Sequence, residues 1–422
     1  MISTILQSFR VAEIRKKLLF TAAILALYRL GSFVPVPGVD VDAVEQIQSN
    51  YSDPGILNLL NTFTGGGLSR IALFALGIMP YITASIILQL LVVVSPALEK
   101  LQKEGEVGQA RITQYTRYLT VGLAAAQAIG YTFLFKSQGA AGTPVFEQFN
   151  VGTVIMVTLC LTAGSVIVMW MGELITQRGI GNGISLMIFA SIVASLPGGV
   201  SQWWTNPDPV FKIIMPFLAL AVVAAVVFIQ EGQRRIPIQY AKRVIGRRMS
   251  SGGQTYLPLR VNMAGVIPVI FAASLMAFPP TLGQLVPGLE GLATFFNPGG
   301  WAYVVGESLM IILFTYFYTA VTFNPVDQAD NLKKYGGFIP GVRPGRPTAE
   351  FLDRILARLT FPGALYLAAV AALPTIIIAS TGAPSSFYFG GTSLLIVVGV
   401  ALDTMKQLEA QLMMRNYEGF LK

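Results

Sequence analysis

The sequence predicts an all-α polytopic membrane protein of about ten transmembrane helices, and three observations predict it. Of the 422 residues, 54% are hydrophobic and only 12% are charged, roughly half the charged share of a soluble globular chain. The apolar residues fall in blocks of about 20, the length that crosses a hydrocarbon core of about 30 Å. The 29 Lys and Arg side chains, which give a net charge of +8, gather in alternate loops. A basic balance alone would suit a nucleic-acid binder, but basic residues confined to every second loop mark orientation in a bilayer.

The blocks lie at about 18–36, 76–95, 117–135, 151–172, 183–200, 211–230, 261–281, 302–323, 361–380 and 387–405. The first follows a segment, 1–17, that carries Arg10 to Lys17. It leads into Val34, Pro35, Val36 and Pro37 without a small-residue cleavage pattern, so it reads as a retained span and not a cleaved signal peptide. Ten spans put both ends on one side. An inside N-terminus assigns 25 of the 29 basic residues to the cytoplasm: those of 1–17, the loop after the second span, Arg178, loops 231–260 and 324–358, and a tail at 406–422. Only Arg29, Arg70, Lys136 and Lys212 stay outside.

The chain divides into an N-terminal half, 18–200, and a C-terminal half, 201–405, joined by a loop with Pro197, Gly198, Gly199, Asn206, Pro207 and Pro209. Each half holds five spans. Because five is odd, the halves must run in opposite senses through the membrane, an inverted arrangement familiar in conduits with a central path.

Several spans are irregular. The apolar stretch 68–94 is too long for one straight helix and contains Gly77 and Pro80. Proline removes a backbone hydrogen bond, so a short half-helix followed by a full span is expected, and a broken helix needs a protein or water-filled surround. Arg29, Gln89 and Glu307 fall within spans. Polar groups there are functional candidates, although Arg29 and Glu307 lie near span ends, from which a long side chain can also snorkel to the boundary.

Enzyme chemistry has little to work with. There is no histidine and one cysteine, Cys160, which removes the usual transition-metal ligands, any internal disulfide and a Ser/His/Asp triad. No G-x-x-x-x-G-K-[ST] loop occurs, and Gly65, Gly66 and Gly67 run into Leu68 and Ser69, so no nucleotide-binding loop is expected. Neither metal nor cofactor is implied.

Five blocks carry a more specific reading: Y-R-L-G-S-F-V-P-V-P-G-V-D from Tyr28, A-L-G-I-M-P-Y-I-T-A-S-I-I-L-Q-L-L from Ala75, I-T-Q-R-G-I-G-N-G-I-S-L from Ile175, V-N-M-A-G-V-I-P from Val261 and F-I-P-G-V-R-P-G from Phe338. In this order they resemble the SecY family, the channel subunits of bacterial protein translocases, from the first span to the tail. The resemblance implies an hourglass pore in the bacterial plasma membrane, with thylakoid membranes an alternative. Its waist is an aliphatic ring, closed by a plug and able to open sideways into lipid.

Ile82 and Ile86, four apart on one helix face, are the first ring candidates, and Ile184 and Ile188 repeat the spacing. The family pattern adds Ile270 and Ile396. A dry ring of this kind gates by dewetting, whereas an isoleucine elsewhere in a membrane helix faces lipid or packs on a neighbour. The plug is expected as a half-helix at about 56–71, hinged by Thr64, Gly65, Gly66, Gly67 and Leu68, with an ordinary re-entrant loop as the alternative. The family's lateral gate makes Gln89 and Asn262 candidates for a polar latch, a bond worth about 0.6–2 kcal/mol between helices in lipid.

The cytoplasmic loops imply docking. Arg234, Arg235, Lys242, Arg243, Arg247 and Arg248 cluster in one of them, and Arg343 sits in the V-R-P-G block of the next. The expected partners are a SecA-type motor ATPase, the ribosome, small membrane subunits of SecE and SecG type, signal-bearing unfolded polypeptides and the lipid bilayer. Basic loops that only set orientation are the plainer alternative. A small-solute transporter would want ionisable groups at mid-membrane, and the middles of the fourth, fifth, sixth, ninth and tenth spans have none. An intramembrane hydrolase or lipid transferase would want paired carboxylates at depth, and none are evident.

Overall fold

The structure is a computed structural model that describes residues 9–40, 61–138, 145–146, 148–205, 209–240, 244–245, 248–249, 254–285, 288–297, 300–381 and 391–420. Helical segments occupy the ten predicted positions: α1 (Ala12–Gly31), α2 (Met79–Val94), α4 (Glu106–Gln138), α5 (Val151–Arg178), α6 (Gly183–Thr205), α7 (Pro209–Glu231), α8 (Ile267–Met276) with α9 (Phe278–Leu285), α11 (Trp301–Thr322), α13 (Arg346–Thr381) and α14 (Gly391–Phe420). Among the described residues, seven helices are long and apolar enough to cross a membrane. An eighth counts if α2 and the short α3 (Pro96–Lys103), bent by 99°, form one span. The small α10 (Glu290–Phe295) and α12 (Pro325–Lys334) complete the helices.

The predicted seventh span, 261–281, is not one helix. Gly265 turns at φ +64, Pro268 stands in the first turn of α8, and Pro279 and Pro280 open α9, where a missing N–H costs nothing. Across the predicted tail, α14 runs on from the tenth span to Phe420. There Leu408 and Leu412 bury against Ile14 of α1 and Ile180 of the turn between α5 and α6. The start of α1 and the C-terminal part of α14 thus pack together.

That turn explains the block from Ile175. Thr176 Oγ1 accepts from the Gly183 amide at 2.9 Å, and Asn182 Oδ1 caps α6 by accepting from Ile184 at 3.1 Å. Thr21 of α1 accepts from the Ile180 amide at 3.3 Å. A Cβ on Gly183 would lie 2.0 Å from the Gly172 carbonyl oxygen, so only glycine lets α6 start so close to α5.

The two basic loops are one folded unit. β1 (Gln233–Tyr240) pairs antiparallel with β4 (Gln254–Arg260) and with β5 (Gly337–Phe338), and a minor hairpin joins β2 (Val244–Ile245) to β3 (Arg248–Met249). Alternation along β1 buries Ile236 and Ile238. Ile236 shares a small core with Leu259, Phe323, Ile339 and Leu352, so residues on either side of α11 hold this unit together. One large core fills the membrane region and draws on every long helix.

Candidate functional site

Four helices contribute the isoleucine candidates to that core. Ile82 and Ile86 come from α2, Ile188 from α6, Ile270 from α8 and Ile396 from α14, and each is at most 4% exposed. Ile184 is half-buried and packs against the same cluster, which also contains Phe63, Leu68 and Ile71. An ion entering such a place loses its hydration with nothing to replace it. About one turn from Ile184, Ile270 and Ile396, a polar cavity of about 420 Å³ opens between Ser185, Arg260, Ile267, Asp403 and Lys406. Its rim carries two ion pairs, Arg260 with Asp403 at 4.0 Å and Lys406 with Glu231 at 2.8 Å.

The half-helix expected at about 56–71 is not what the described residues adopt. Positions 56–60 lie outside them, Asn61 to Phe63 form one helical turn, and 64–70 are successive turns. Gly65 and Gly66 take φ +65 and +87, which a right-handed helix cannot accommodate. Side chains replace the lost ladder: Thr64 Oγ1 accepts from the Leu68 amide at 3.2 Å and Asn61 Oδ1 from the Ser69 amide at 3.1 Å. The expected half-helix before Gly77 is likewise a series of turns, and α2 begins with Pro80 in its first turn. Gly164 and Ser165 of α5 let this backbone lie close. A Cβ on Gly164 would sit 1.9 Å from the Leu73 carbonyl oxygen, and Ser165 donates to the Gly77 carbonyl at 3.3 Å.

Side chains of α1 and α6 hold the segment from the other side. The Arg29 guanidinium donates to the Gly65 carbonyl and lies 4.6 Å from the centre of the Phe33 ring, with Arg70 at 4.2 Å. Tyr28 reaches the Thr64 carbonyl at 3.4 Å and Ser191 at 2.7 Å. Arg29 therefore turns to the protein, and Glu307, only 6% exposed, does not snorkel either. Tyr28 and Ser191 were missed as site residues by sequence reasoning. Tyr28 does stand beside Arg29 and Gly31 in the first block, but Ser191 carries no signal of its own.

The polar latch between Gln89 and Asn262 is absent. Gln89 donates to Ser85 on its own helix at 3.3 Å, and Asn262 donates to the Gly265 carbonyl at 2.8 Å. Each amide nitrogen donates within four residues, Asn262 Oδ1 is buried without a hydrogen-bond partner, and no bond joins the two. Where α2 meets α8, the polar contact is Ser274 to the Met79 sulfur at 3.9 Å; the rest is apolar packing that includes Ile82 and Ile270.

Of the basic candidates, Arg234, Arg235 and Arg343 are exposed. Arg234 and Arg235 stand on β1 opposite Leu259 and Pro258, and the Arg343 carbonyl is fixed by Thr348 at 2.8 Å. Arg248 lies on β3, while Lys242, Arg243 and Arg247 fall outside the described residues. No group of three or more metal-ligating side chains occurs among the described residues.

Comparison with known proteins shows the family and the fold. The family model SecY matches residues 72–405. Protein translocase subunit SecY of Streptomyces galbus is 49% identical over the full length of both chains, and that of Mycobacterium bovis is 47% identical with the same coverage. Among solved structures, a protein-conducting channel superposes with a TM-score of 0.65 at 19% identity, covering 93% of this chain and 91% of that one. Sec61 from the canine ribosome–channel complex of the endoplasmic reticulum gives 0.62 at 20% identity, with the same coverage. At these identities the structures bear on the fold alone.

Proposed function

The chain belongs to the SecY family of protein translocase subunits, and from that membership we propose how its parts share the work of passing an unfolded polypeptide through a membrane. It is a multi-pass membrane protein and a channel, and makes or breaks no bond itself. The observation that supports the reading is that Ile82, Ile86, Ile188, Ile270 and Ile396 are all buried in the same apolar core as Phe63, Leu68 and Ile71. In the idle state these side chains, with Ile184 at their edge, form the waist, and the turns from Asn61 to Arg70 are the plug beneath it. A ring of branched aliphatic side chains excludes hydrated ions by dewetting, yet has no bonds to break when an extended chain pushes through.

The seam between α2 and α8 is the lateral exit for apolar signal segments. Their removal from water supplies about 25 cal/mol per Å² of apolar surface, so a segment of 20 apolar residues can displace helix packing that is itself only van der Waals in character. The polar cavity above the waist is the entry mouth. Arg234, Arg235 and Arg343, with Lys242, Arg243, Arg247 and Arg248, form the docking surface for a motor ATPase of SecA type or for ribosomal RNA phosphate, where clustered positive charge steers an acidic partner. Small membrane subunits of SecE and SecG type complete the assembly. The membrane is the bacterial plasma membrane. Both chain ends face the cytoplasm, as the basic residues on their side support.

The test is import of a signal-bearing, unfolded protein into vesicles holding this chain, its small subunits and a motor ATPase. Import should require ATP and fall at least about tenfold in Arg343→Glu, the loss expected when an interfacial charge is reversed. Undiminished import in the variant makes Arg343 a charge that only sets orientation, and wild-type vesicles that import nothing overturn the channel assignment of parts.

A further inference from the structure

Tyr28 on α1 and Ser191 on α6 place their hydroxyls 2.7 Å apart, and both residues are buried, at 3% and 1% exposure. Each hydroxyl has a second acceptor in reach. Tyr28 can donate to the Thr64 carbonyl at 3.4 Å, and Ser191 to the Met187 carbonyl, one turn back on its own helix, at 2.9 Å. A hydroxyl carries a single proton, so the two cannot fill all three contacts at full strength. In one arrangement Ser191 donates to Tyr28 and Tyr28 donates to Thr64. In the other, Tyr28 donates to Ser191 and Ser191 donates to Met187. The first holds the glycine-bearing segment, and the second is complete without it.

We propose that Tyr28 and Ser191 form a release latch for the plug: a hydroxyl pair that binds the Thr64 carbonyl in the closed channel and satisfies itself when that carbonyl leaves. This rests on reading residues 61–70 as the plug. A buried hydroxyl left without a partner is costly, and an ordinary hydrogen bond to the plug would strand one at every opening. Here two O–H bonds rotate and nothing is stranded. The contact to Thr64 is long for an O–H···O bond, as suits a contact that must yield. Its geometry is fixed by neighbours that stay behind. The Tyr28 ring stacks on Phe74, centroids 6.0 Å apart and planes 8° apart. A Cβ on Gly65 would stand 3.4 Å from Ser191 Cα, so the plug is seated on the pair itself.

The latch makes two deletions of one oxygen atom act in opposite directions. Tyr28→Phe removes one bond from each state, but in the closed state it also strands the Thr64 carbonyl, whereas in the open state Ser191 stays bonded to Met187 and no group is stranded, so closure is weakened. Ser191→Ala removes the acceptor on which Tyr28 relies after release, so the open state loses the bond. The measurement is bilayer conductance of the chain with its small subunits, idle and in the presence of a synthetic signal peptide. Tyr28→Phe should raise the open fraction about threefold to tenfold, the effect of one buried hydrogen bond. Ser191→Ala should lower the peptide-opened fraction by a similar factor, and the double variant should behave as Tyr28→Phe.

Deletion of residues 61–67 separates this proposal from the plug reading. The deleted channel should conduct at rest, and adding Ser191→Ala to it should change nothing, which also shows that the variant inserts and folds. If the deletion leaves the idle conductance unchanged, the plug reading fails. If the deletion conducts but Ser191→Ala in the intact chain is silent or opens the channel, the latch is wrong while the plug stands.

Discussion

Around residues 61–70 the contacts are directional. Arg29 donates to the Gly65 carbonyl, Tyr28 reaches that of Thr64, and Asn61 and Thr64 cap amides within the segment. Along α2 and α8 the contacts are nearly all aliphatic, with one hydroxyl at 3.9 Å from a thioether. Hydrogen bonds weaken steeply with angle and distance, so the first region has a single resting position. Dispersion contacts are individually small and tolerate sliding, so the second can admit guests of many shapes. Under the proposed assignment of parts, a plug that must return to one place is held by bonds, and an exit that must accept unrelated segments is held by grease.

The largest expected effect that would break this contrast is at Arg29. Arg29→Ala removes a charge-assisted bond to a backbone carbonyl, and the idle conductance should rise about tenfold to a hundredfold. A conductance equal to wild type would mean that the seat is not held by directional bonds. Next comes the close approach beneath it. Gly164→Ala must push α5 away from the Leu73 carbonyl, and overpacking of this kind costs about 1–3 kcal/mol. The purified assembly should melt a few degrees lower, and an unchanged melting temperature would refute the contact. At the seam the changes should be small. Ser274→Ala loses a weak contact to sulfur, and its bond to Ile270 is local to α8. Import should stay within about twofold of wild type, because a surviving shape outweighs a weak polar bond. The smallest effect is between Gln89 and Asn262. With no bond joining them, Gln89→Ala and Asn262→Ala should combine additively within about 0.5 kcal/mol in a double-mutant cycle of import rates. A larger coupling would restore the polar latch.

Much of this was legible because membrane burial writes itself in long apolar blocks and lopsided charge. Those two patterns place helical segments at the ten predicted positions, although the seventh is broken in two, and the four-residue spacing puts Ile82 and Ile86 on one face. They fail where short-range backbone chemistry overrides hydropathy. Residues 68–77 are apolar enough for helix, but the glycines at 65, 66 and 77 all take positive φ and convert the stretch into turns. The Gln89–Asn262 pairing is not formed: both amide nitrogens donate to nearby acceptors, while Asn262 Oδ1 stays buried without a partner. The shared core of the two basic loops was hidden because Ile236 and Leu352 are separated in sequence by α8 to α12: each loop read alone is merely polar and charged.

Ile71, just past the plug, is the non-glycine residue with positive φ among those described, at +46, a conformation that a β-branched side chain adopts only under compulsion. The compulsion is visible. Its carbonyl accepts from the Val36 amide at 3.0 Å, and the Leu73 amide donates to Val34 at 2.8 Å, so the chain is moored there to the exit of α1. A mooring sets a leash. Six Cα-to-Cα steps join Gly65 to Ile71, and an extended chain spans at most about 3.6 Å per residue, so Gly65 can travel no farther than about 20 Å from its anchor. Under the proposed assignment of parts, the plug can swing clear of a pore wide enough for one polypeptide and cannot be lost to the far side of the membrane.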